Sequence, residues 1–228
     1  MQDKLKWNAI GLVKKARMLK NYVESEENDI PVDHTKKCAT LSGFLVELNH
    51  ILEQMEKIKK IIIPKLEKLF RLTFPTPELV MFALARPSIR NIFEDLNTHF
   101  KDDENRPLNE EDLIELASSG DAAVVLALIG DAALDLAIVQ ILWDSSLSKT
   151  GELTTKRKKV AANKNLAIYC EEWGLYSCRL NRLKANPMED PKIETLEHIK
   201  GTLVESILGV VYIEFGLKEL LRIVPLIQ

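Results

Sequence analysis

Residues Asp121–Trp143 read DAAVVLALIGDAALDLAIVQILW, and this stretch decides how the rest of the chain is interpreted. Apolar residues occupy every side of the helix that it predicts, so we expect that helix to be buried all round. Two acids interrupt it, Asp131 and Asp135, and their spacing of four residues places both on one face. Burying an ionised carboxylate without a partner costs roughly several kcal/mol. We therefore expect either a cation at these acids or an ion pair or cap on a neighbouring element.

A second apolar helix, GTLVESILGVVYIEFG at 201–216, carries Glu205 among its apolar residues. Carboxylates on two facing helices provide the hard oxygen ligands that Mg²⁺ or Mn²⁺ prefers. Such an ion can polarise a phosphate and activate a water molecule. The alternative is structural: Asp131 or Glu205 anchors backbone N–H groups or pairs with an arginine such as Arg86 or Arg157. The two helices alone leave both interpretations open.

The composition predicts an all-α protein. The chain has only 9 Gly and 9 Pro among 228 residues, and no alternating apolar stretch is long enough to require a sheet. A net charge of −3 excludes a global basic field, so any binding of nucleic acid must come from a local patch. Three cysteines without CxxC spacing and an N-terminus without the apolar core of a signal peptide favour a cytoplasmic protein with reduced thiols. Because acids interrupt the stretch 122–143, we expect a buried helix there and no membrane span.

Two helical segments precede the rest of the chain and predict an N-terminal helical hairpin over residues 1–63. Apolar residues recur at helical spacing in 3–26, and a leucine seam runs from Leu41 to Met55. A break at 28–31 separates the two segments. The hairpin is interpreted as a structural or oligomerisation element, with binding of a protein partner as the alternative. Residues 64–228 form the second predicted domain.

Four blocks of sequence resemble the ribonuclease III family, and they occur in the family's order. The central block, LIGDAAL at 128–134, resembles the family's signature Glu-Phe-Leu-Gly-Asp-Ala-Val-Leu. The others are 66–88, similar to the family's opening segment, 151–166, similar to its Gly-Glu-Leu-Ser segment, and 205–216, which falls on its closing pattern. The resemblance implies a ribonuclease III-like helical domain over 64–228. It also implies action on double-stranded RNA as a homodimer in which the signature helices pack against each other.

Four acids hold the metal ions in that family, and this sequence has two of them. Asp131 and Glu205 match, whereas Ala127 and Thr202 stand where the family has Glu and Asp. The resemblance makes Asp131 and Glu205 the candidate catalytic residues and metal ligands. Asp135 is a third candidate ligand, although it would move the metal by about 6 Å along the helix axis. Because affinity rises with the number of charged ligands, we expect Mg²⁺ or Mn²⁺ to bind weakly if it binds at all.

A cationic run, Lys156, Arg157, Lys158 and Lys159, follows the Gly-Glu segment at a predicted helix start. Duplex RNA is bound mostly through its shape and its phosphates, for which a basic patch without sequence preference is the suitable chemistry. Each phosphate contact adds affinity that salt removes. The alternative is an ordinary solvated helix face.

Three functions are consistent with these patterns. The first is a divergent ribonuclease III-like protein that binds or processes structured double-stranded RNA, with catalysis lost or weakened. The second is an active Mg²⁺- or Mn²⁺-dependent double-strand-specific endoribonuclease with a rearranged acid site. The third is a dimeric scaffold that does not bind RNA.

Overall fold

The computed structural model describes residues 8–31, 34–143, 150–183 and 193–227. Within these ranges the chain is helical without a β-strand, and a single parallel bridge joins Ala85 to Leu180. The predicted all-α fold is therefore confirmed. In chain order the α-helices are α1 (Leu12–Asn28), α2 (Thr35–Lys57), α3 (Ile63–Phe70), α4 (Pro77–Ala83), α5 (Ile89–His99), α6 (Glu110–Ala117), α7 (Ser119–Leu142), α8 (Thr150–Ala161), α9 (Asn163–Trp173), α10 (Ile193–Phe215) and α11 (Leu217–Ile223).

Helices α1 and α2 form the predicted N-terminal hairpin. The buried side of α1 carries Leu12, Leu19 and Val23, and the facing side of α2 carries Leu41 and Leu48. These side chains belong to the same continuous core as the apolar residues of the later helices. The hairpin is therefore packed onto the rest of the chain.

A π-helical turn, Ile58–Ile62, joins α2 directly to α3, so the helical backbone continues across the predicted domain boundary. Pro64 lies at the start of α3. Proline has no N–H, and its ring collides with the carbonyl four residues earlier in a regular α-helix. The wider π turn before it relieves that collision. The division of the chain after residue 63 stays a prediction.

The start of α1 is capped by a residue from the second predicted domain. The Glu78 carboxylate accepts hydrogen bonds from the backbone N–H of Ile10 at 3.0 Å and from that of Leu12. The first N–H groups of a helix have no partner within the helix, and a carboxylate there also complements the helix dipole. Glu78 thus fixes the entry of α1 against α4.

The two long apolar helices, α7 and α10, cross with their backbones in contact. A Cβ atom at Gly130 would collide with the backbone carbonyl of Glu205, and one at Gly209 would collide with that of Leu126. Only glycine fits at these two positions. The contact sets the register between the helices and places Asp131 beside Glu205.

The expectation that α7 is buried all round is wrong. Val125, Leu128 and Leu136 expose 54%, 69% and 52% of their surface and form a stripe along one side of the helix. The other side packs against α10, α4 and α11. An apolar composition predicts that a helix side avoids water, but it does not say whether the same chain covers it.

The stretch Glu110–Leu142 is long and apolar enough to cross a membrane by length and composition. One such stretch is a weak indication, because the core helix of a soluble protein meets the same criteria. The acids Asp131 and Asp135 and the close packing on α10 favour the role of a core helix.

The contact at Gly130 gives a direct test of the fold. We expect Gly130→Ala to lower the free energy of unfolding by about 3 kcal/mol or more, because the atoms that the new methyl group meets are backbone. Gly43→Ala is the matched control, since Gly43 lies inside α2 with open space around it. That change should stabilise the protein by about 0.5–1 kcal/mol. Denaturant unfolding measures both, and equal effects would contradict the close helix crossing.

Candidate active site and nucleic-acid interface

Asp131 and Glu205 lie close together at the helix crossing, and the charge of Asp131 disfavours ionisation of Glu205. The pKa of Glu205 is raised to about 7, first by burial and then by the negative charges of Asp131 and Asp135. The pKa of Asp131 is also raised, by desolvation of its carboxyl and by Asp135, although Arg157 opposes the shift. The structure thus brings together the three acids that the sequence singled out. Perturbed carboxyls of this kind are typical of functional sites.

Asp135 is engaged by an ion pair with Arg157 of α8. Both side chains are about two-thirds buried. The sequence analysis suggested Arg157 as a partner of Asp131 or Glu205, whereas in the structure Arg157 pairs with Asp135. Removing one member of a half-buried ion pair leaves the other charge without compensation, so the pair fastens α8 to α7. As long as it persists, Asp135 is a poor substitute for a missing metal ligand.

The two positions where the family has further acids provide no carboxylate. Ala127 is buried between α7 and its neighbours. The Thr202 hydroxyl donates a hydrogen bond to the carbonyl of His198 within its own helix at 2.9 Å. Among the described residues, no group of three or more His, Cys, Asp or Glu side chains has an arrangement that holds a metal ion. The donors present, Asp131 and Glu205, do not fit a tightly held Mg²⁺ or Mn²⁺.

The cationic run lies on α8, and its members differ in role. Arg157 turns inward to Asp135, whereas Lys156, Lys158 and Lys159 are exposed. These three lysines have no ion pair with any residue that the structure describes. No residue of α8 is buried, so the helix lies on the surface, against α7 and α9. The lysines are therefore free to meet an anionic surface, and Arg157 sets the position from which they do so.

One positioning residue, Asn165, was not recognised in the sequence. Its side-chain amide donates to the carbonyl of Val160 at 2.8 Å and to that of Ile227 at 3.0 Å. It thereby ties the end of α8 to the C-terminal segment. An asparagine at the start of a helix is common as a local cap, so the sequence offered no signal for this longer reach.

Comparison with known families finds one similarity. Residues 124–216, from α7 to α10, match the family model described as Ribonuclease III domain. The match covers less than half of the chain, and over this segment it supports the resemblance to the ribonuclease III family. A domain of this family indicates a nuclease-type function on double-stranded RNA, and its members generally use divalent metal ions. Neither the search of curated proteins nor that of solved structures gives a match.

The raised pKa of Glu205 predicts how stability changes with pH. The folded protein favours the protonated carboxyl, so its contribution is fully present below the ordinary pKa of 4.5 and is lost as the pH rises through about 7. The full difference corresponds to about 3 kcal/mol. We expect Glu205→Gln, which keeps the shape without the charge, to raise the melting temperature by several degrees at pH 8 and by little at pH 4.5.

Glu104→Gln, in an exposed loop, is the matched control for this experiment. It should shift the melting temperature by the same small amount at both pH values. If Glu205→Gln also shifted the melting temperature by the same amount at pH 8 and at pH 4.5, the pKa of the Glu205 carboxyl would not be raised as described.

Proposed function

We propose that this protein binds structured double-stranded RNA through the exposed face of α8 and that its catalytic activity is lost or strongly weakened. The observation that carries the proposal is the pairing of Asp135 with Arg157. Asp135, one turn beyond Asp131 on the same face of α7, is the candidate substitute for the carboxylate that Ala127 lacks, and Arg157 already neutralises it. The helical fold is retained, whereas two of the four acids that hold metal ions in the family are not.

The chemistry of α8 supports binding to a nucleic-acid backbone. Lys156 and Lys159 are one turn apart on a surface helix, and Lys158 extends the cationic surface. Lys164 at the start of α9 is also exposed and adds a fourth cation. Lysine acts as a point charge towards phosphate, which suits recognition that depends on shape rather than on base sequence.

The exposed stripe of α7 supports a homodimer. Monomeric proteins seldom expose contiguous large apolar side chains without a purpose, and Val125, Leu128 and Leu136 form such a stripe. A two-fold axis would place this stripe against itself in a second copy, which is the simplest way for one surface to become buried. This arrangement agrees with the pairing of signature helices that the family implies.

A second candidate function, an active endoribonuclease, is favoured by one specific observation. The pKa of Glu205 is raised to about 7, and two further acids face it. Such a cluster costs stability and is characteristic of sites that use it. Activity in this case would require Asp135 to leave Arg157.

The RNA-binding proposal predicts a change in the salt dependence of binding. We expect the triple variant Lys156→Gln, Lys158→Gln, Lys159→Gln to weaken binding of a duplex RNA. The slope of log affinity against log salt should become shallower by about one for each phosphate that a lysine no longer neutralises. The charge-matched control replaces Lys14, Lys36 and Lys218, which are exposed on other helices. An equal weakening in the control would mean that net charge, and not α8, governs binding.

The loss of catalysis predicts that purified protein leaves an end-labelled RNA duplex intact in Mg²⁺ and in Mn²⁺. Thermal shift in Mn²⁺ reports on the acid site independently of cleavage, because a ligand that binds only the folded state raises the melting temperature. We expect no shift for the unmodified protein and a positive shift for Thr202→Asp, which adds a carboxylate one turn from Glu205. Cuts that disappear in Glu205→Gln would instead establish the second candidate.

A further inference from the structure

A groove lies between the ends of α3, α9 and α11, apart from the acid pair and from α8. Its volume is about 780 Å³, which is within the range of small-molecule sites. Its apolar lining comprises Trp173 together with Leu69 and Leu226, which expose 38% and 44% of their surface. The charged residues in the lining are four cations and one acid: Lys65, Lys68, Arg71, Arg222 and Glu172. The groove is thus positive in a protein whose net charge is −3.

Two of these cations neutralise the helix ends that border the groove. Lys65 donates to the carbonyl of Glu172 at the end of α9, and Arg222 donates to the carbonyl of Phe70 at the end of α3. The last carbonyls of a helix carry partial negative charge and would otherwise repel an anion. With one carbonyl engaged at each helix end, the two ends oppose a negatively charged ligand less.

Arg71 adopts a conformation that its residue type disfavours. It follows the last residue of α3 with φ 52° and ψ 48°, the left-handed region in which glycine is the usual residue at a helix end. It is the one non-glycine residue with positive φ in the described parts of the chain. A side chain kept at a position that glycine would occupy without strain calls for a functional reason.

Lys68 and Arg71 have no ion pair with any residue that the structure describes. Their charges are therefore available to the groove. Among the described residues, Glu172 is the one acid in the lining. A ligand with an anionic group could meet both cations while its apolar part covers the leucines.

We propose that this groove binds a small organic anion, with a phosphate or carboxylate group held by Lys68 and Arg71 and an apolar body against Leu69, Trp173 and Leu226. The size of the groove favours a free small molecule over inorganic phosphate, which would leave most of it empty. The site shares no residue with the acid pair or with the lysines of α8.

The test uses 1-naphthyl phosphate as the probe and isothermal titration calorimetry on the full chain. We expect binding that weakens at least tenfold in Lys68→Ala and in Arg71→Gly. The second variant is decisive because glycine relieves the left-handed strain, so the protein should fold at least as stably as before. Lys218→Ala, an exposed cation on α11 outside the lining, is the control and should bind as the unmodified protein does.

Two further probes separate the contributions of charge and apolar surface. Inorganic phosphate and uncharged 1-naphthol should each bind at least tenfold more weakly than 1-naphthyl phosphate. Equal binding of either probe, no binding of 1-naphthyl phosphate at millimolar concentration, or unchanged binding in Arg71→Gly and Lys68→Ala would overturn the proposal. Displacement of the bound probe by a peptide of alternating Glu and Leu at lower concentrations would also overturn it, in favour of a protein partner.

Discussion

The backbone contact between α7 and α10 is the constraint on which the candidate site depends. Gly130 and Gly209 let the two helices approach until backbone meets backbone, and any side chain there would force them apart. Because helices present their side chains at fixed angles, this one contact determines that Asp131 and Glu205 share a small volume. That proximity contributes, after burial, to the raised pKa of Glu205. The pKa of Asp131 is raised by desolvation and by Asp135 of its own helix.

The ion pair between Asp135 and Arg157 links the acid site to the surface that we propose to bind RNA. Helix α8 has no buried residue of its own, so it needs a specific attachment to hold a defined position. Arg157 supplies it by reaching back to α7, while the lysines on either side point outward. Within one run of four cations, one is structural and three are available. Arg157 differs from the three lysines in its burial and in its partner Asp135. Neither difference can be predicted from the run of residue types.

Much of the fold could be predicted from the sequence, and the failures have identifiable causes. The apolar spacing of α1, α2, α7 and α10 indicated their approximate extent, and the Gly-Asp-Ala motif indicated the domain. Burial of α7 was overestimated, because composition cannot reveal which helix side remains without a neighbour. The partner of Asp135 could not be predicted, because it depends on how α8 packs against α7. The residues that line the groove are far apart in the sequence, from 65 to 226, so no local sequence pattern could predict the groove.

The number of ligands, rather than their protonation, limits metal binding at the acid site. A metal must displace the proton from Glu205, but with a pKa of about 7 only about half of the molecules carry it at neutral pH. That competition weakens the affinity about twofold. Even an outer-shell partner of a metal ligand typically contributes roughly 10- to 100-fold, and the resemblance places Ala127 and Thr202 where the family has two of the ligands themselves. Raising the pH would therefore increase the metal affinity only slightly, whereas adding a carboxylate beside Glu205 would replace a missing ligand and increase the affinity more.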